Sequence, residues 1–256
     1  MRWQLLHTAP CPGSENMAID EALLARARDS GECVLRVYGW STPTLSLGRH
    51  QSADGLYDRA RLRESGIAVV RRPTGGRAIL HHREITYSVT APDAVLGTLR
   101  ESCARINRLL IDGLGRLGVE AREARSGARP PRPSGAPCFE TPVTGELIVN
   151  GRKLAGSAQW RDAGALLQHG SILIDDDQSA VASLLLHPVA PPAPPATLHA
   201  ALGRVPETAE LVSALFAAVR SLEDPDASEL EIDNVLAGII AARRPRYDDD
   251  SWTWRR

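Results

Sequence analysis

Lys153 is the only lysine in this chain of 256 residues, and the other 29 of its 30 basic residues are arginines. An ammonium is a compact charge with three rotatable donors and a pKa that responds to burial, whereas a guanidinium is a planar, fixed fork of donors. Arginine-biased codon usage could leave a single lysine by chance. The neighbours of Lys153 point to a ligand site, however. Asn150-Gly151 predicts a tight hairpin, and the small residues 156–158 let main chain approach a ligand closely.

Cys138 is the second residue whose type could do chemistry. It follows residues 126–137, which are rich in Pro, Gly, Arg and Ser and predict a loop, and it precedes the hairpin of Lys153. A free thiol has a pKa of about 8.5, and a neighbouring ammonium lowers that pKa and favours the nucleophilic thiolate. Spacing along the chain does not bring the two side chains together, so a loop cysteine without function is the alternative.

A glycine-rich turn follows the strand predicted at residues 67–71. Residues 71–77 read RRPTGGR, so a strand end delivers two guanidiniums to a Gly-Gly turn and a third follows it. Glycines permit close approach of a ligand, and their amides can hold an oxyanion or a phosphate. The turn lacks the Gly-Lys-Ser/Thr of a P-loop. An ordinary turn between charged strands is the alternative.

Histidines could also contribute to a site. His81 and His82 could supply a base or a metal ligand, but no Cys, Asp or further His stands at metal-ligand spacing. Lining a pocket or holding a loop is therefore the favoured interpretation, and no metal is expected. Further along, Gly170 interrupts a predicted strand, which indicates a bulge or a close approach, and the neighbouring His169 could face the same cleft.

Composition narrows the class of protein. A formal net charge of -1 gives no overall field that would attract nucleic acid or a membrane surface. No apolar run approaches the roughly 18 residues of a membrane-spanning helix, and the N-terminal residues lack the apolar core of a signal peptide. Four scattered cysteines without a CxxC pair suit a reducing compartment. We expect a cytoplasmic protein without nucleic-acid or membrane partners and without a cofactor.

Strands alternate irregularly with helices and hairpins, which predicts an α+β fold. Ser14 is the expected N-cap of the first helix. Predicted helices cover residues 16–28, 54–65, 99–117, 207–222 and 229–243. Predicted strands cover residues 34–38, 44–47, 67–71, 85–90, 146–149, 153–157 and 166–174.

Six stretches together resemble the biotin/lipoate protein ligase and octanoyltransferase family. They appear in the family's order at residues 16–21 (NMAIDE), 45–49 (LSLGR), 71–81 (RRPTGGRAILH), 84–88 (EITYS), 150–159 (NGRKLAGSAQ) and 167–172 (LQHGSI). The resemblance implies a ligase-like catalytic domain with a mostly antiparallel central sheet, a smaller second sheet and flanking helices. We expect this domain at residues 1–186. A Pro-rich linker at 187–206 and a C-terminal helical segment at 207–256, packed on the same domain, would follow.

Three branches of the family share that fold. In one branch of octanoyltransferases the nucleophilic cysteine follows the lysine, but no cysteine follows Lys153 here. ATP-dependent lipoate ligases need no nucleophile and carry an Asn-Asp pair in the region that is 138–146 in this chain. The chain is most similar to the third branch, the cysteine-dependent octanoyltransferases of the Gram-positive type, which carry Cys-Phe before the Gly-Arg-Lys hairpin. It departs from that branch at residues 142–146, where Pro-Ser and an aromatic residue are expected.

The resemblance implies octanoyl transfer in two steps. The octanoyl group would pass from acyl carrier protein to Cys138, and then to a lysine of a lipoyl-accepting protein such as the glycine-cleavage H protein. Lys153 would lower the pKa of Cys138 and bind the acyl carbonyl. The residues implied in substrate binding are Arg72, Thr74, Gly75, Gly76, Arg77, His81, Gly156, Ser157, Ala158, His169 and Gly170.

Rival functions use the same residues differently. An ATP-dependent ligase would hold an acyl-adenylate with Arg72, the Gly-Gly turn and Lys153, and would leave Cys138 unused. An amidotransferase would use the same cysteine but take octanoyl from an already octanoylated carrier protein. A non-catalytic module that binds acylated proteins would leave the pairing of Cys138 and Lys153 unexplained.

Overall fold

Two β-sheets and the helices around them form the part of the chain that the computed structural model describes, residues 1–124 and 145–255. The strands are β1 (Trp3–Cys11), β2 (Cys33–Trp40), β3 (Thr44–Leu47), β4 (Ala68–Arg71), β5 (Ile79–His81), β6 (Glu84–Pro92), β7 (Arg122–Glu123), β8 (Leu147–Val149), β9 (Arg152–Asp162), β10 (Ala165–Leu173) and β11 (Ser228–Glu229). The helices are α1 (Gly13–Ser30), α2 (Arg59–Glu64), α3 (Asp93–Leu96), α4 (Leu99–Arg116), α5 (Ala180–Ser183), α6 (Leu198–Leu202), α7 (Thr208–Leu222), α8 (Asn234–Asp248) and α9 (Asp250–Thr253).

The larger sheet has the strand order β11-β1-β2-β6-β10-β9-β8-β7. Strand β1 pairs in parallel with both of its neighbours, and the other neighbouring strands run antiparallel. Strands β2, β6 and β10 are buried along almost their whole length, as expected for a sheet that is covered on both faces. The prediction of a mostly antiparallel central sheet is confirmed.

The smaller sheet has the order β4-β3-β5, in which β3 is parallel to β4 and antiparallel to β5. This sheet is the predicted second sheet. Strand β4 ends at Arg71 and continues directly into the RRPTGGR turn, and β3 ends one residue before Gly48. The smaller sheet therefore holds two glycine-containing segments at one of its ends.

Helices cover the larger sheet on both sides, which together with the two sheets confirms the α+β class. On one side α4 and α7 pack against each other and on the strands, with Leu110 and Leu215 in the shared core. On the other side α1 packs against α8, with Met17, Leu23 and Leu236 buried between them. Burial of these apolar faces is the main source of stability for such a layered arrangement.

The hairpin predicted from Asn150-Gly151 is confirmed. Asn150 has φ 50° and Gly151 has φ 77°, the left-handed conformation that a two-residue hairpin turn of this kind requires at both positions. The turn joins β8 to β9 and fixes the start of the strand that carries Lys153.

Two predictions of helix starts were wrong. Ser14 does not cap α1, because the helix begins at Gly13 and its N-cap is Pro12. The helix predicted at residues 54–65 is confined to α2, since the carboxylate of Asp58 accepts hydrogen bonds from the first amides of that helix and starts it there.

Helix α7 agrees with the prediction at 207–222, whereas the next helix is shifted, and it contacts the rest of the molecule. Helix α8 begins after its N-cap Asp233 and continues through Pro245, so the predicted range 229–243 was too early. The hydroxyl of Tyr247 donates to Glu21 Oε2 on α1 over 2.6 Å. The boundaries proposed at residues 186 and 206 stay predictions. Across the described ranges, no helix combines the length and the apolarity needed to cross a bilayer.

Candidate active site

A cleft that is partly open to solvent lies between the smaller sheet and the face of the larger sheet that carries α1. Its wall is mainly apolar, with Met17, Trp40 and Ile79 among its members. Polar groups reach it from both sheets, which is the usual composition of a site for a small, largely apolar ligand. The full lining consists of Met17, Tyr38, Trp40, Ser46, Arg72, Gly76, Ile79, His81, Thr86, Gly156, Ser157, Ala158, His169, Gly170 and Ser171.

Most of the residues predicted to bind substrate lie together in this lining. The ones on the cleft are Arg72, Gly76, His81, Gly156, Ser157, Ala158, His169 and Gly170. Three others, Thr74, Gly75 and Arg77, belong to the same turn but do not line the cleft. The structure thus brings most of the predicted residues to one cleft. Their roles in substrate binding remain predictions.

Arg72 stabilises the Gly-Gly turn by hydrogen bonds to its carbonyl oxygens. Its guanidinium donates to the carbonyl oxygens of Gly75, at 2.8 Å, and Arg77, at 2.7 Å. It also donates to the carbonyl and hydroxyl oxygens of Ser46 on β3, at 2.9 and 3.0 Å. Arg72 therefore ties the turn to the smaller sheet from the side of the cleft.

Gly48 and Gly76 bring two main-chain segments into contact beside the cleft. A Cβ atom on Gly48 would lie 2.0 Å from the carbonyl oxygen of Gly76, so only glycine fits there. The amide of Arg49 donates to the carbonyl of Thr74 over 2.7 Å. Gly76 itself has φ 93°, a left-handed conformation that favours glycine. The 48–51 loop thus backs the Gly-Gly turn.

His169 connects α1 to the Gly-Gly turn. Its Nδ1 lies 3.1 Å from Asp20 Oδ2, and its Nε2 lies 2.6 Å from the hydroxyl of Thr74. A carboxylate can only accept, so Nδ1 carries a proton and donates it to Asp20. The carboxylate thereby sets the tautomer of a histidine that lines the cleft.

Asp20 is a fully buried carboxylate with four donors around it. Arg36 Nη1 and the Ser88 hydroxyl donate to Oδ1 at 2.8 Å each, while the Tyr38 hydroxyl and His169 donate to Oδ2. Burial works to raise the pKa of Asp20, but the hydrogen bond from His169 and the charge of Arg36 outweigh it and hold this pKa below its ordinary value.

His81 has a parallel arrangement on the opposite wall. Its Nδ1 lies 3.3 Å from Glu84 Oε1, and its Nε2 lies 2.8 Å from the Ser46 hydroxyl. The ring of Trp40 stacks on the imidazole, with centroids 4.0 Å apart. Burial lowers the pKa of His81, although its hydrogen bond to Glu84 acts in the opposite direction. His81 is therefore a neutral ring in the wall of the cleft, and its hydrogen bonds to Glu84 and Ser46 fix its orientation.

Gly170 lies where β9 and β10 meet at the cleft. Pairing along β10 continues through Gly170 without a change of register, so the predicted alternative of a bulge is excluded and that of a close approach holds. A Cβ on Gly170 would lie 2.5 Å from the Gly156 carbonyl oxygen and 2.8 Å from the Ser157 hydroxyl. Any side chain at position 170 would therefore collide with the neighbouring strand, and only glycine fits there.

Lys153 is buried on β9 and does not line the cleft. Its Nζ donates to Glu146 Oε1 over 2.5 Å, and its side chain is 1% exposed. This carboxylate partner was not predicted from the sequence. Cys138, the predicted nucleophile, lies outside the described residues. The amide of Ala124 donates to the carbonyl of Glu146, the partner of Lys153, over 2.8 Å.

Sequence reasoning missed several residues of the site. Asp20, Arg36 and Glu84 carry the buried charges behind the cleft, and Trp40 and Met17 form part of its wall. Asp20 and Glu84 were within stretches that resemble the family, and a charged residue within an otherwise apolar helix or strand was the available signal. Among residues 1–124 and 145–255, no group of three or more His, Cys, Asp or Glu side chains could hold a metal ion.

Comparison with known sequences gives a family for the chain. Residues 12–220 match the family described as lipoyl protein ligase A/B catalytic domain. The octanoyltransferase LipM of Kyrpidia tusciae is 45% identical over 194 residues, which cover 73% of this chain and 71% of the relative. The octanoyltransferase LipM of Symbiobacterium thermophilum is 40% identical over 273 aligned positions, which cover 99% of this chain and 98% of the relative.

Solved structures share the fold. A bi-partite lipoate protein ligase from Thermoplasma acidophilum, studied with its E2 lipoyl domain, superimposes with a TM-score of 0.78 at 20% identity and covers 99% of this chain and 96% of its own. Lipoate-protein ligase A bound with ATP gives a TM-score of 0.75 at 20% identity and covers 99% of both chains. At such identities the likeness concerns the fold, and it confirms the predicted lipoate ligase-like architecture.

Proposed function

The chain belongs to the lipoyl protein ligase A/B catalytic-domain family, and we propose from this membership that it is an octanoyltransferase of lipoate biosynthesis. The observation that carries this function is the 40% identity to an octanoyltransferase LipM over 99% of this chain and 98% of the relative. The mainly apolar cleft between the two sheets suits an eight-carbon acyl chain. The enzyme is accordingly an acyltransferase.

The first chemical step is transfer of octanoyl from acyl carrier protein to Cys138. The Cys138 thiolate attacks the thioester carbonyl, a new carbon–sulfur bond forms, and the carbon–sulfur bond to the carrier breaks. The carrier thiolate leaves and takes up the proton that Cys138 released. One thioester replaces another, so the step is nearly balanced in free energy and needs no ATP. A thiolate is the reactive form of the nucleophile.

The second step forms the amide. The ε-amine of a lysine on a lipoyl-accepting protein, for which we propose the glycine-cleavage H protein, attacks the Cys138 thioester. A carbon–nitrogen bond forms, the carbon–sulfur bond to Cys138 breaks, and a proton from the amine returns to the thiol. Conversion of a thioester into an amide is downhill, which drives the sequence to completion.

We propose Lys153 as the electrostatic partner of this chemistry, although it is not among the residues that line the cleft. In this proposal its buried ammonium favours the thiolate of Cys138 and donates to the acyl carbonyl oxygen as negative charge develops there. The carboxylate of Glu146 holds the ammonium at the start of β9.

We also propose the cytoplasm as the compartment, because a nucleophilic thiol needs reducing surroundings to stay free.

The proposal is tested by incubating the protein with octanoyl-acyl carrier protein in the absence of ATP and reading its intact mass. We expect an octanoyl adduct that hydroxylamine removes. Cys138→Ala should lose the adduct, whereas Cys103→Ala should keep it, since Cys103 lies on α4 away from the cleft lining. No adduct on the wild-type protein, together with lipoate-dependent ATP–pyrophosphate exchange, would replace the transferase with an ATP-dependent ligase.

The donor is tested in the same format. Octanoylated H protein is offered in place of octanoyl-acyl carrier protein, and the rates at which the adduct forms on Cys138 are compared. Faster loading from acyl carrier protein supports the octanoyltransferase. Loading only from the octanoylated H protein would identify an amidotransferase with the same nucleophile.

A further inference from the structure

Arg71 is a fully buried arginine whose guanidinium contacts only main-chain carbonyls. Within residues 1–124 and 145–255, each hydrogen bond that it donates ends on a carbonyl oxygen, and no carboxylate lies within 4.0 Å of it. A buried charge is costly unless hydrogen bonds satisfy it. A guanidinium has five N–H donors in a rigid fork, so it can satisfy itself by joining several segments at once.

The first segment that Arg71 holds is the 48–51 loop. Its Nη1 donates to the carbonyls of Gly48 and Gln51 at 2.6 Å each. The amide of Gln51 donates to the Gly48 carbonyl over 3.0 Å, which closes the loop into a turn. Arg71 therefore fixes the two ends of this loop against the end of β4.

The second segment is the C-terminal one, around α9. Arg71 Nε donates to the carbonyls of Trp252 and Thr253 at 3.1 and 3.0 Å, and its Nη2 donates to the carbonyl of Arg255 at 3.1 Å. In return, the indole Nε1 of Trp252 donates to the carbonyl of Arg71 over 2.9 Å. One side chain thus links two stretches of chain that are far apart in sequence.

The 48–51 loop transmits this link to the cleft. Gly48 lies against the Gly76 carbonyl so closely that no side chain fits between them. The amide of Arg49 holds the Thr74 carbonyl, and the Thr74 hydroxyl reaches the cleft residue His169. Through these contacts the C-terminal segment supports the Gly-Gly turn from behind.

Arg71, the last residue of β4, and Arg72, which follows it, donate to different segments of the chain. Arg72 faces the cleft and holds the carbonyls of Gly75 and Arg77, whereas Arg71 faces away from it and holds the supporting loop. We propose that Arg71 is a positioning residue for acyl transfer, which uses the C-terminal segment to hold the 48–51 loop and, through it, the Gly-Gly turn. This inference rests on the octanoyltransferase function proposed above.

The test compares Arg71→Lys with wild type in single-turnover loading from octanoyl-acyl carrier protein. An ammonium has three donors and cannot reach both segments as the fork does. We expect the loading rate at saturating donor to fall by about 10–100-fold, because misplacement of a site by about 1 Å costs that much, while KM for the donor changes far less. Hydrogen exchange should become at least about tenfold faster at the amides of residues 48–52 and 72–77.

Arg59→Lys is the matched control. Arg59 also contacts the C-terminal segment, since it pairs with Asp250 over 2.5 Å and lies over the ring of Trp254, but it is exposed and does not touch the 48–51 loop. Its variant should load within about twofold of wild type, as expected for an exposed ion pair. Added guanidinium at millimolar concentration should restore part of the loading rate of Arg71→Ala and leave Arg59→Ala unchanged.

The outcomes separate the two proposals. If wild type does not load, the proposed function fails, and the exchange measurement alone decides the role of Arg71. If wild type loads and Arg71→Lys loads equally well with unchanged exchange, the role of Arg71 is overturned. Should Arg71→Lys not fold, Trp252→Phe removes the indole donor to Arg71 instead. Exchange that stays unchanged at residues 48–52 and 72–77 in that variant also overturns the inference.

Discussion

Lys153 Nζ donates a hydrogen bond to Glu146 Oε1 across the hairpin that turns at Asn150-Gly151, and the two atoms are 2.5 Å apart. The side chain of Lys153 is 1% exposed and that of Glu146 is 12% exposed, so most of the solvent that would screen the pair is excluded. The ammonium of the chain's single lysine is thereby fixed at the start of β9.

Lys153→Arg tests whether this position needs an ammonium. A guanidinium keeps the charge but is larger and planar, so it does not fit the enclosed place of the ammonium. We expect the rate of octanoyl loading to fall by at least about 100-fold, a loss typical of a misplaced electrostatic group in an active site. Arg152→Lys, at the exposed neighbouring position, is the control and should load as wild type does. Near-normal loading of Lys153→Arg would remove Lys153 from the mechanism.

Asp20→Asn tests the buried charge network behind the cleft. Asp20 and Arg36 are both 0% exposed, and the substitution leaves the guanidinium without its carboxylate. Removal of one partner of a buried pair costs about 3–5 kcal/mol in the free energy of unfolding, and urea denaturation measures it. Asp250→Asn removes an exposed partner of Arg59 and should cost less than about 1 kcal/mol. Equal losses in the two variants would contradict the role assigned to Asp20.

Because the pKa of His81 is lowered in the folded protein, we expect the protein to lose stability in mild acid. Burial lowers the pKa of His81 in the folded protein, so below about pH 6.5 the unfolded chain binds a proton that the folded chain does not. Its contribution is complete above that pH and is lost as the pH falls toward the lowered folded pKa. Between pH 7.5 and 5.5, wild type should therefore lose more unfolding free energy than His81→Gln. Parallel losses in both proteins, measured by urea denaturation, would rule out this contribution.

Gly48→Ala tests the contact between the 48–51 loop and the Gly-Gly turn. The new Cβ would lie 2.0 Å from the main-chain oxygen of Gly76, which cannot swing away as a side chain could. We expect a loss of about 1–3 kcal/mol in unfolding free energy together with slower octanoyl loading. Gly238→Ala, inside α8 with no atom within 4 Å of the new Cβ, should instead stabilise the protein by about 0.5–1 kcal/mol. A Gly48→Ala protein that is as stable and as active as wild type would contradict the contact.

Local signals in the sequence were sufficient for much of the fold. Asn150-Gly151 predicts its hairpin because few other residue pairs adopt two left-handed conformations in a row. Helix α4 follows from apolar periodicity closed by Gly118, and the structure ends it at Arg116. Strand β1 (Trp3–Cys11) was not predicted, because its run Thr8-Ala9-Pro10 breaks the alternation and its pairing partners are supplied by distant segments.

The site was less accessible to sequence reasoning because its groups meet only in three dimensions. Asp20 and His169 are 149 positions apart, and nothing in either neighbourhood indicates the other. Glu146 lies close to Lys153 in sequence, but its role depends on which way two strands of a hairpin present their side chains. The resemblance to the family located the cleft residues, whereas the carboxylates that orient them required the packing of α1 and β6 on the larger sheet.

The link between Arg71 and the C-terminal segment can form only late in the biosynthesis of the chain. Arg71 and Thr253 are 182 positions apart, so a ribosome that adds about 5–20 residues per second reaches the second roughly 10–35 s after the first. During that interval the 48–51 loop of the nascent chain lacks its link to the C-terminal segment. A chain interrupted before residue 252 would carry every predicted cleft residue and still lack the C-terminal carbonyls that Arg71 binds. Support of the Gly-Gly turn through this link therefore begins only when synthesis of the chain is nearly finished.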